Sequence, residues 1–249
     1  MTTTIHWLGN GSGLNLELNN TSFYLKGAGP RLAVVDCGYT VPARLHALGL
    51  LDKVTDIIIT HLHADHVGGL ETLGSLLYYA LRKRGERAPT LHLATEDLAR
   101  ELWEHSLRAG LINGSDDANQ PIDASLTTYF QVSTGPVVRI DGLPTATFLP
   151  TNHIPRMANY SLRFDNGVYY SADSRDMPPF DADIIFQDVH FQPPFDDEVH
   201  ASYIRLRDEM PPAVRKKTWL VHLGNGYEKF SPEKDGFAGF IRQDQEFHV

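Results

Sequence analysis

The sequence predicts an α/β (α+β) protein in which β sheets are covered by helices. Short apolar segments rich in β-branched residues recur along the chain, and they alternate with segments whose apolar residues follow the helical period. The 249 residues are 42 % hydrophobic and 21 % charged, which is typical of a globular protein that buries a large core. We therefore expect residues 1–249 to form a single domain.

In the first half of the chain, short β-branched runs lie between Gly- and Asn-rich turns. They predict strands at Ile5–Leu8, Ser22–Leu25, Leu32–Asp36, Asp56–Thr60 and Thr90–Leu93. Helices are predicted between them at Arg44–Leu50, Gly68–Arg84 and Glu96–Arg108. Leucines at 70, 73, 76, 77 and 81 form an apolar stripe on the second helix, and Thr95 is a suitable N-cap for the third.

The second half begins with an irregular, polar stretch, Gly110–Ser125, which predicts a loop long enough to be functional. The remaining strands are predicted at Thr128–Val132, Val137–Ile140, Ala146–Leu149, Tyr160–Phe164, Val168–Ser171 and Ile184–Gln187. A helix at Val199–Arg207 and a last strand at Thr218–Leu223 close the pattern.

Composition and charge restrict the classes of function. Lys and Arg number 22 against 31 Asp and Glu, a net charge of −9, whereas a protein that wraps nucleic acid needs a basic face. Cys37 is the single cysteine, so an intramolecular disulfide cannot form. Met1–His6 does not resemble a signal peptide, and apolar runs fall short of the roughly 18–20 residues of a membrane span. We therefore expect a cytoplasmic protein with no membrane partner and a small substrate.

The strongest chemical signal follows the predicted strand Asp56–Thr60, where the segment 60–69 reads THLHADHVGG. His61 and His63 lie two residues apart, so they face the same way in extended backbone. Asp65 and His66 lie at the turn into the next helix and can serve a second centre. Imidazole and carboxylate ligands together suit zinc, and also manganese or iron. The segment predicts a metal centre rather than a polar loop that is rich in histidine by chance.

This segment resembles the HxHxDH signature of the metallo-β-lactamase superfamily, and the resemblance extends over nearly the whole chain. It implies a four-layer αββα sandwich with two Zn²⁺ ions per chain, Mn²⁺ being the alternative. It also implies further ligands downstream, which His153, Asp173 and His222 match. Asp173 stands in Ala-Asp-Ser, where the superfamily usually has Gly-Asp-Thr or Gly-Asp-Ser.

The resemblance also assigns roles. One metal would be held by His61, His63 and His153, the other by Asp65, His66 and His222, with Asp173 bridging them. Asp36 matches an early aspartate that typically orients a ligand histidine. A turn-forming Asp before Gly38 is the alternative interpretation.

The surroundings of His153 resemble the ribonuclease Z-like phosphodiesterase branch, in which a tyrosine that opens a strand, here Tyr160, follows the histidine. His200, in Val199–Ser202, is similar to a His-x-Ser/Thr element of that branch and would assist the leaving group. His190 is the alternative bearer of this role, and a surface position at a helix start is the other interpretation of His200. The resemblance thus implies catalytic roles for Asp65, His200 and Asp173.

Three parts of the chain further resemble a subgroup that includes the phage anti-Pycsar proteins and their bacterial relatives: residues 101–110, residues 188–222, and residues 9–13 with 19–20. This implies a homodimer that hydrolyses 3′,5′-cyclic CMP, UMP, AMP or GMP to nucleoside 5′-monophosphates. It would counter cyclic-nucleotide immune signalling in the cytoplasm, that of the host if the protein is phage-encoded. An RNA phosphodiesterase, a lactone or thioester hydrolase, and a nucleotide-sequestering protein without turnover remain alternatives.

Several segments and side chains are candidates for the part of the site that holds the base. Gly110–Ser125 is a candidate lid, over its own site or that of a partner subunit. Aromatic residues are candidates for stacking on the base, although core packing is the favoured interpretation for each taken alone: Tyr129, Phe130, Tyr160, Phe195, Tyr227 and Phe230.

Overall fold

The computed structural model describes residues 2–82, 85, 87–112 and 120–249. Its strands are β1 (Thr4–Gly9), β2 (Ser22–Lys26), β3 (Leu32–Val35), β4 (Asp56–Ile58), β5 (Thr90–Leu93), β6 (Gln131–Thr134), β7 (Val137–Val138), β8 (Ala146–Pro150), β9 (Tyr160–Phe164), β10 (Val168–Tyr170), β11 (Ile184–Asp188), β12 (Thr218–Val221), β13 (Gly239–Phe240) and β14 (Glu246–His248).

The helices are α1 (Val41–Ala47), α2 (Ala64–Val67), α3 (Leu70–Arg82), α4 (Glu96–Leu102), α5 (Arg108–Leu111), α6 (Leu126–Tyr129), α7 (Tyr203–Glu209) and α8 (Pro212–Arg215). A π-helical turn, Trp103–Leu107, joins α4 to α5, and the hydroxyl of Thr95 caps α4 by accepting from the Leu98 amide. In the described part of the chain, no helix has the length and apolar character needed to cross a membrane.

The strands form two seven-stranded sheets, in the orders β14-β1-β2-β3-β4-β5-β6 and β13-β12-β11-β10-β9-β8-β7. Strands β3 to β6 run parallel in the first sheet, and β10 to β13 run parallel in the second. The remaining pairs are antiparallel. Because parallel strands end at the same edge of a sheet, the loops that follow them meet there.

Alternating side chains along the strands create the layers. In β3, Leu32 and Val34 belong to a core that includes Leu73 and Leu77 of α3. Ala33 and Val35, on the other face of the strand, lie in a second core that joins the two sheets. The second sheet repeats this pattern, since Phe186 of β11 lies in the joining core and Ile185 packs with Leu206 of α7. The α/β (α+β) prediction is therefore confirmed, and each sheet lies between the joining core and a helical layer.

Some predicted elements were wrong. The predicted strand Thr128–Val132 overlaps α6, because Ser125 and Thr128 cap a short helix reciprocally and the strand starts only at Gln131. Thr218–Leu223 is not the last strand, since β13 and β14 follow it.

Two further predictions concern loops near the site. The predicted helix Val199–Arg207 begins only at Tyr203, because the backbone of residues 201–203 bonds instead to that of His190, two residues after β11. Within the predicted loop Gly110–Ser125, residues 113–119 lie outside the described residues, and so does the lid prediction.

Candidate metal centre

The predicted ligands come together at the edge where the strands end. His61 to His66 follow β4, His153 follows β8, Asp173 follows β10 and His222 follows β12. Glycine at position 38 lets the loop after β3 pack closely against the segment that carries Asp65, since a Cβ on Gly38 would collide with the carbonyl oxygen of Asp65.

One group of ligand-type side chains contains His61, His63, His153 and Asp173, with one atom of each lying within 4.8 Å of the others. His153 Nε2 lies 3.2 Å from His63 Nδ1 and 3.7 Å from Asp173 Oδ2. His61 Nε2 is also 3.7 Å from Asp173 Oδ2. The group is buried except at His63, which is half-buried.

A second group contains Asp65, His66, Asp173 and His222, again within 4.8 Å. His66 Nε2 lies 3.1 Å from Asp173 Oδ1, and His222 Nε2 lies 3.2 Å from Asp65 Oδ2 and 3.4 Å from Asp173 Oδ2. Asp173 belongs to both groups: its Oδ1 faces His66, and its Oδ2 faces His61, His153 and His222. This arrangement suits a carboxylate that bridges two cations.

Hydrogen bonds at Nδ1 set the orientation of the histidine rings. His66 Nδ1 donates to Asp36 Oδ2 at 2.9 Å, and His153 Nδ1 donates to the Val199 carbonyl at 2.8 Å. A carboxylate or carbonyl oxygen only accepts, so each ring holds its hydrogen on Nδ1 and turns Nε2 into the cluster. This is the usual arrangement of metal-binding histidines.

Asp36 does more than form a turn. Its carboxylate accepts hydrogen bonds from the amide and hydroxyl of Thr60 in addition to the bond from His66. The turn interpretation also applies, since Asp36 has a left-handed φ of 58° before Gly38.

Asp188, which no motif in the sequence indicated, forms a third group of ligand-type side chains with Asp173, His200 and His222. It is fully buried, and its Oδ2 accepts from His200 Nδ1 at 2.7 Å and from the Ser174 amide at 2.8 Å. Its Oδ1 lies 3.2 Å from His222 Nδ1. An acidic residue directly after the predicted buried strand Ile184–Gln187 was the available signal.

His200 adjoins both groups, whereas His190 lines the cavity that opens onto the cluster but bonds to Glu198. The His200 ring centroid lies 4.8 Å from that of His153 and 4.9 Å from that of His222. Burial disfavours the charged form of His200, but the Asp188 carboxylate outweighs burial and raises the pKa of His200. His190 donates from Nε2 to Glu198 at 3.2 Å and accepts the Gln192 amide at Nδ1.

The electrostatics of the cluster fit a divalent cation. Burial lowers the pKa of His61 and of His63, and neighbouring histidines lower both further, so the neutral imidazole that binds metals is favoured. Burial opposes ionisation of Asp65 and Asp173, but the surrounding histidines hold the pKa of both carboxyls below their usual range. The carboxylates are therefore charged at neutral pH.

Buried atoms without hydrogen bonds point to the same conclusion. Among the described residues, His61 Nε2, His66 Nε2 and Asp173 Oδ1 are buried and make no bond of hydrogen-bonding geometry. Leaving such atoms unsatisfied costs about 1–3 kcal/mol each. Burial lowers the pKa of His222, but carboxylates, chiefly those of Asp173 and Asp188, outweigh it and raise the value to about 10. A cation in the cluster would satisfy these atoms and displace the proton.

A cavity of about 810 Å³ opens onto the cluster, within the usual range for small-molecule sites. His63, Asp65, Asp173, His200 and His222 line it together with apolar side chains. Two of the aromatic candidates, Phe195 and Phe230, also line the cavity. The others lie in or against the hydrophobic cores: Tyr129, Phe130, Tyr160 and Tyr227.

Comparison with known proteins places the chain in a family. The family model described as Anti-Pycsar protein Apyc1 matches residues 3–247. The chain belongs to this family. Among its Apyc1 relatives, that of Paenibacillus harenae is 34 % identical, over 96 % of this chain and 95 % of the relative. That of Bacillus phage 010DV004 is 31 % identical, over 99 % and 98 %.

Solved structures agree on the fold of this Apyc1 family member. The metallo-β-lactamase fold protein YhfI from Bacillus subtilis aligns with a TM-score of 0.72 at 16 % identity, covering 100 % of both chains. A diphosphatase of the PhnP family aligns with a TM-score of 0.72 at 18 % identity, covering 98 % of this chain and 97 % of its own. The metallo-β-lactamase fold expected from the HxHxDH segment is confirmed.

Proposed function

We propose that this member of the Apyc1 family is a dinuclear metal-dependent phosphodiesterase that hydrolyses 3′,5′-cyclic mononucleotides to nucleoside 5′-monophosphates. The observation that carries the proposal is the pair of ligand groups that share Asp173 beside His200. The family match supports the cyclic-nucleotide substrate and a role against cyclic-nucleotide immune signalling, because the sequence resemblance implied both.

In this proposal, His61, His63 and His153 hold one Zn²⁺ ion, and Asp65, His66 and His222 hold the other, with Asp173 shared. Mn²⁺ is the alternative metal. When bound, these ions supply positive charge to the phosphate oxygens and acidify the attacking water. Asp65 and Asp173, charged at neutral pH, offset the charge of the ions.

His200 is the proton donor to the leaving 3′-oxygen. Its Nδ1–H is committed to Asp188, which leaves Nε2 to carry the transferable proton. The Asp188 carboxylate raises the pKa of His200, which favours the protonated form that a general acid requires. Replacing the 3′-oxygen bond to phosphorus by a bond to water oxygen gives the 5′-monophosphate.

The charge and the surface of the molecule also agree with a small substrate and a homodimer. A net charge of −9 disfavours polyanionic partners, whereas a substrate with one phosphate needs only the local charge of the site. Leu14 and Leu16 are 88 % and 86 % exposed, and Leu14 lines the cavity mouth, which supports a homodimer that covers them. A cytoplasmic location and a single domain complete the proposal, the latter supported by the core that joins both sheets.

The test is a substrate panel on zinc-loaded protein, with His61→Ala, His200→Ala and His190→Ala variants. The panel contains four 3′,5′-cyclic nucleotides, an aryl phosphodiester, a precursor transfer RNA and a lactone. We expect 5′-monophosphates from the cyclic nucleotides, no turnover by His61→Ala, and a loss of about 10²–10⁴ in kcat for His200→Ala but not for His190→Ala. Cleavage of the RNA or the lactone alone would replace the proposal by the corresponding alternative.

A further inference from the structure

We propose that Asp176 is a positioning residue that fixes the distance between His153 and Asp173. This inference rests on the proposed metal-dependent function. The two ligands stand on loops that follow β8 and β10, and β9 lies between these strands in the sheet. No strand-to-strand hydrogen bonds can therefore set the separation of the two loops directly.

Asp176 accepts several hydrogen bonds from the loop that carries His153. Its Oδ2 accepts from the Thr151 hydroxyl at 2.8 Å and from the Asn152 amide at 2.8 Å. The Asn152 side chain donates to both carboxylate oxygens, at 3.0 and 3.1 Å. Burial raises the pKa of Asp176, but these hydrogen bonds outweigh burial and lower the value, so the carboxylate accepts them in its charged form.

The neighbours of Asp176 strengthen the connection. The Arg175 amide donates to the Asn152 carbonyl at 3.0 Å, and the hydroxyls of Ser174 and Thr151 lie 2.5 Å apart. Residues 174–176 are thus hydrogen-bonded along their length to residues 151–152. Asp173 directly precedes the first segment and His153 directly follows the second, and both are candidate ligands. Asp176 is not among the residues that line the cavity over the cluster, so its effect on the site passes through the two loops.

Loss of this carboxylate should loosen the first ligand group more than the second. His153 keeps its bond to the Val199 carbonyl, and the Arg175–Asn152 and Ser174–Thr151 bonds remain between the two loops. The hydrogen bonds that the Asp176 carboxylate accepts from residues 151 and 152 are lost. Removing a residue that orients metal ligands typically costs 10–100-fold in metal affinity. A displacement of about 1 Å in a catalytic group can cost about 10² in rate.

The experiment compares Asp176→Ala, Asp176→Asn and Thr151→Val with the wild-type protein. Asp181→Ala is the matched control, because Asp181 is an exposed aspartate that pairs with Arg163 away from the cluster. Zinc affinity is measured by competition with a chromogenic chelator, and kcat and KM are measured with a cyclic nucleotide. Circular dichroism in excess chelator reports whether each variant folds.

We expect Asp176→Ala to bind one zinc ion 10–100-fold more weakly and to lose about 10² in kcat at saturating zinc, with KM changed less than threefold. Asp176→Asn keeps one acceptor oxygen and should fall between Asp176→Ala and wild type. Thr151→Val should shift zinc affinity in the same direction by a smaller factor. If Asp176→Ala does not fold, the comparison rests on the other two variants.

Wild-type zinc affinity in the folded Asp176 and Thr151 variants would overturn the inference. Equal losses in the Asp181→Ala control would overturn it as well. If the wild-type protein binds zinc but hydrolyses no cyclic nucleotide, the proposed function fails, while the zinc affinities still decide the role of Asp176.

Discussion

Replacement of Asp188 by Asn should disable the site while leaving its shape almost unchanged. The carboxylate faces three donors, namely His200 Nδ1 at 2.7 Å, the Ser174 amide at 2.8 Å and His222 Nδ1 at 3.2 Å. An amide has one acceptor oxygen and an NH₂ group that can only donate. In either orientation, the NH₂ group must therefore face an N–H group that now faces a carboxylate oxygen of Asp188.

Both orientations harm the chemistry. If the NH₂ group faces His222, that ring must move its hydrogen to Nε2, which points at Asp65 and Asp173, and metal affinity should fall 10–100-fold. If it faces His200, the proton donor loses its orienting partner, worth about 10²–10⁴ in rate. We expect kcat to fall at least about 10²-fold, which corresponds to about 2.7 kcal/mol.

The pH dependence should change as well. The Asp188 charge raises the pKa of His200 against the effect of burial, so the neutral amide must lower that pKa. A general acid is active only while protonated, so the alkaline limb of the kcat profile should move to lower pH.

The assay measures kcat from pH 5 to 10 and zinc affinity, with Asp181→Asn as a control for the same change in net charge. An Asp188→Asn enzyme with kcat within threefold of wild type and an unmoved alkaline limb would refute this account of Asp188.

Further predictions concern stability, substrate binding and metal content. Asp56→Asn should destabilise the fold by about 2–3 kcal/mol in urea unfolding with kcat unchanged, because fully buried Asp56 bonds to His92 and to Arg31 at the end of β4 remote from the cluster. Burial raises the pKa of Asp56, but its hydrogen bonds, that of His92 foremost, outweigh burial and lower the pKa overall. The ionised carboxylate therefore stabilises the fold above the ordinary pKa near 4, and this stabilisation is lost as the pH falls through the pKa of the folded state. The free energy of unfolding of the variant should consequently fall less steeply with decreasing pH. Phe195→Ala should raise KM at least about fivefold, and more for purine than pyrimidine cyclic nucleotides, if the base stacks there; an unchanged KM would exclude this. Lys229→Gln should raise KM a few-fold at low salt but not at about 0.5 M salt, because Lys229 is an exposed cation at the cavity; a salt-independent change would contradict steering. Removal of metal by a chelator should lower Tm by several degrees, reversibly on adding zinc, and an unchanged Tm would argue against structural coupling of the site.

The candidate ligands that lie close together in the sequence could be selected from the sequence alone. His61, His63, Asp65 and His66 lie together in one loop, and a buried strand before them and a glycine pair after them fix where that loop occurs. Asp173 was selected through the superfamily resemblance, which it matches just after the predicted strand Val168–Ser171.

Asp188 could not be selected in this way because its role arises from lateral pairing. Only the order β10-β11-β12 places its carboxylate between the loops that carry Asp173 and His222. The strand β14 was missed for a similar reason. It is three residues long, exposes Glu246 and His248, and forms by pairing with β1 from the other end of the chain.

Backbone conformation at the strand ends links the fold to the chemistry. Asp36, Ala172 and His222 have left-handed φ values of 58°, 50° and 59°. Such a conformation costs a residue with a Cβ about 1–2 kcal/mol, so it persists only where the surroundings enforce it. The superfamily resemblance places glycine, which avoids this cost, at the position of Ala172. Each of these residues either belongs to the cluster, as His222 does, or directly precedes or orients a member of it. Local strain at the carboxyl ends of β3, β10 and β12 therefore accompanies sharp turns. These turns direct Asp173 and His222 into the cluster and the Asp36 carboxylate toward His66.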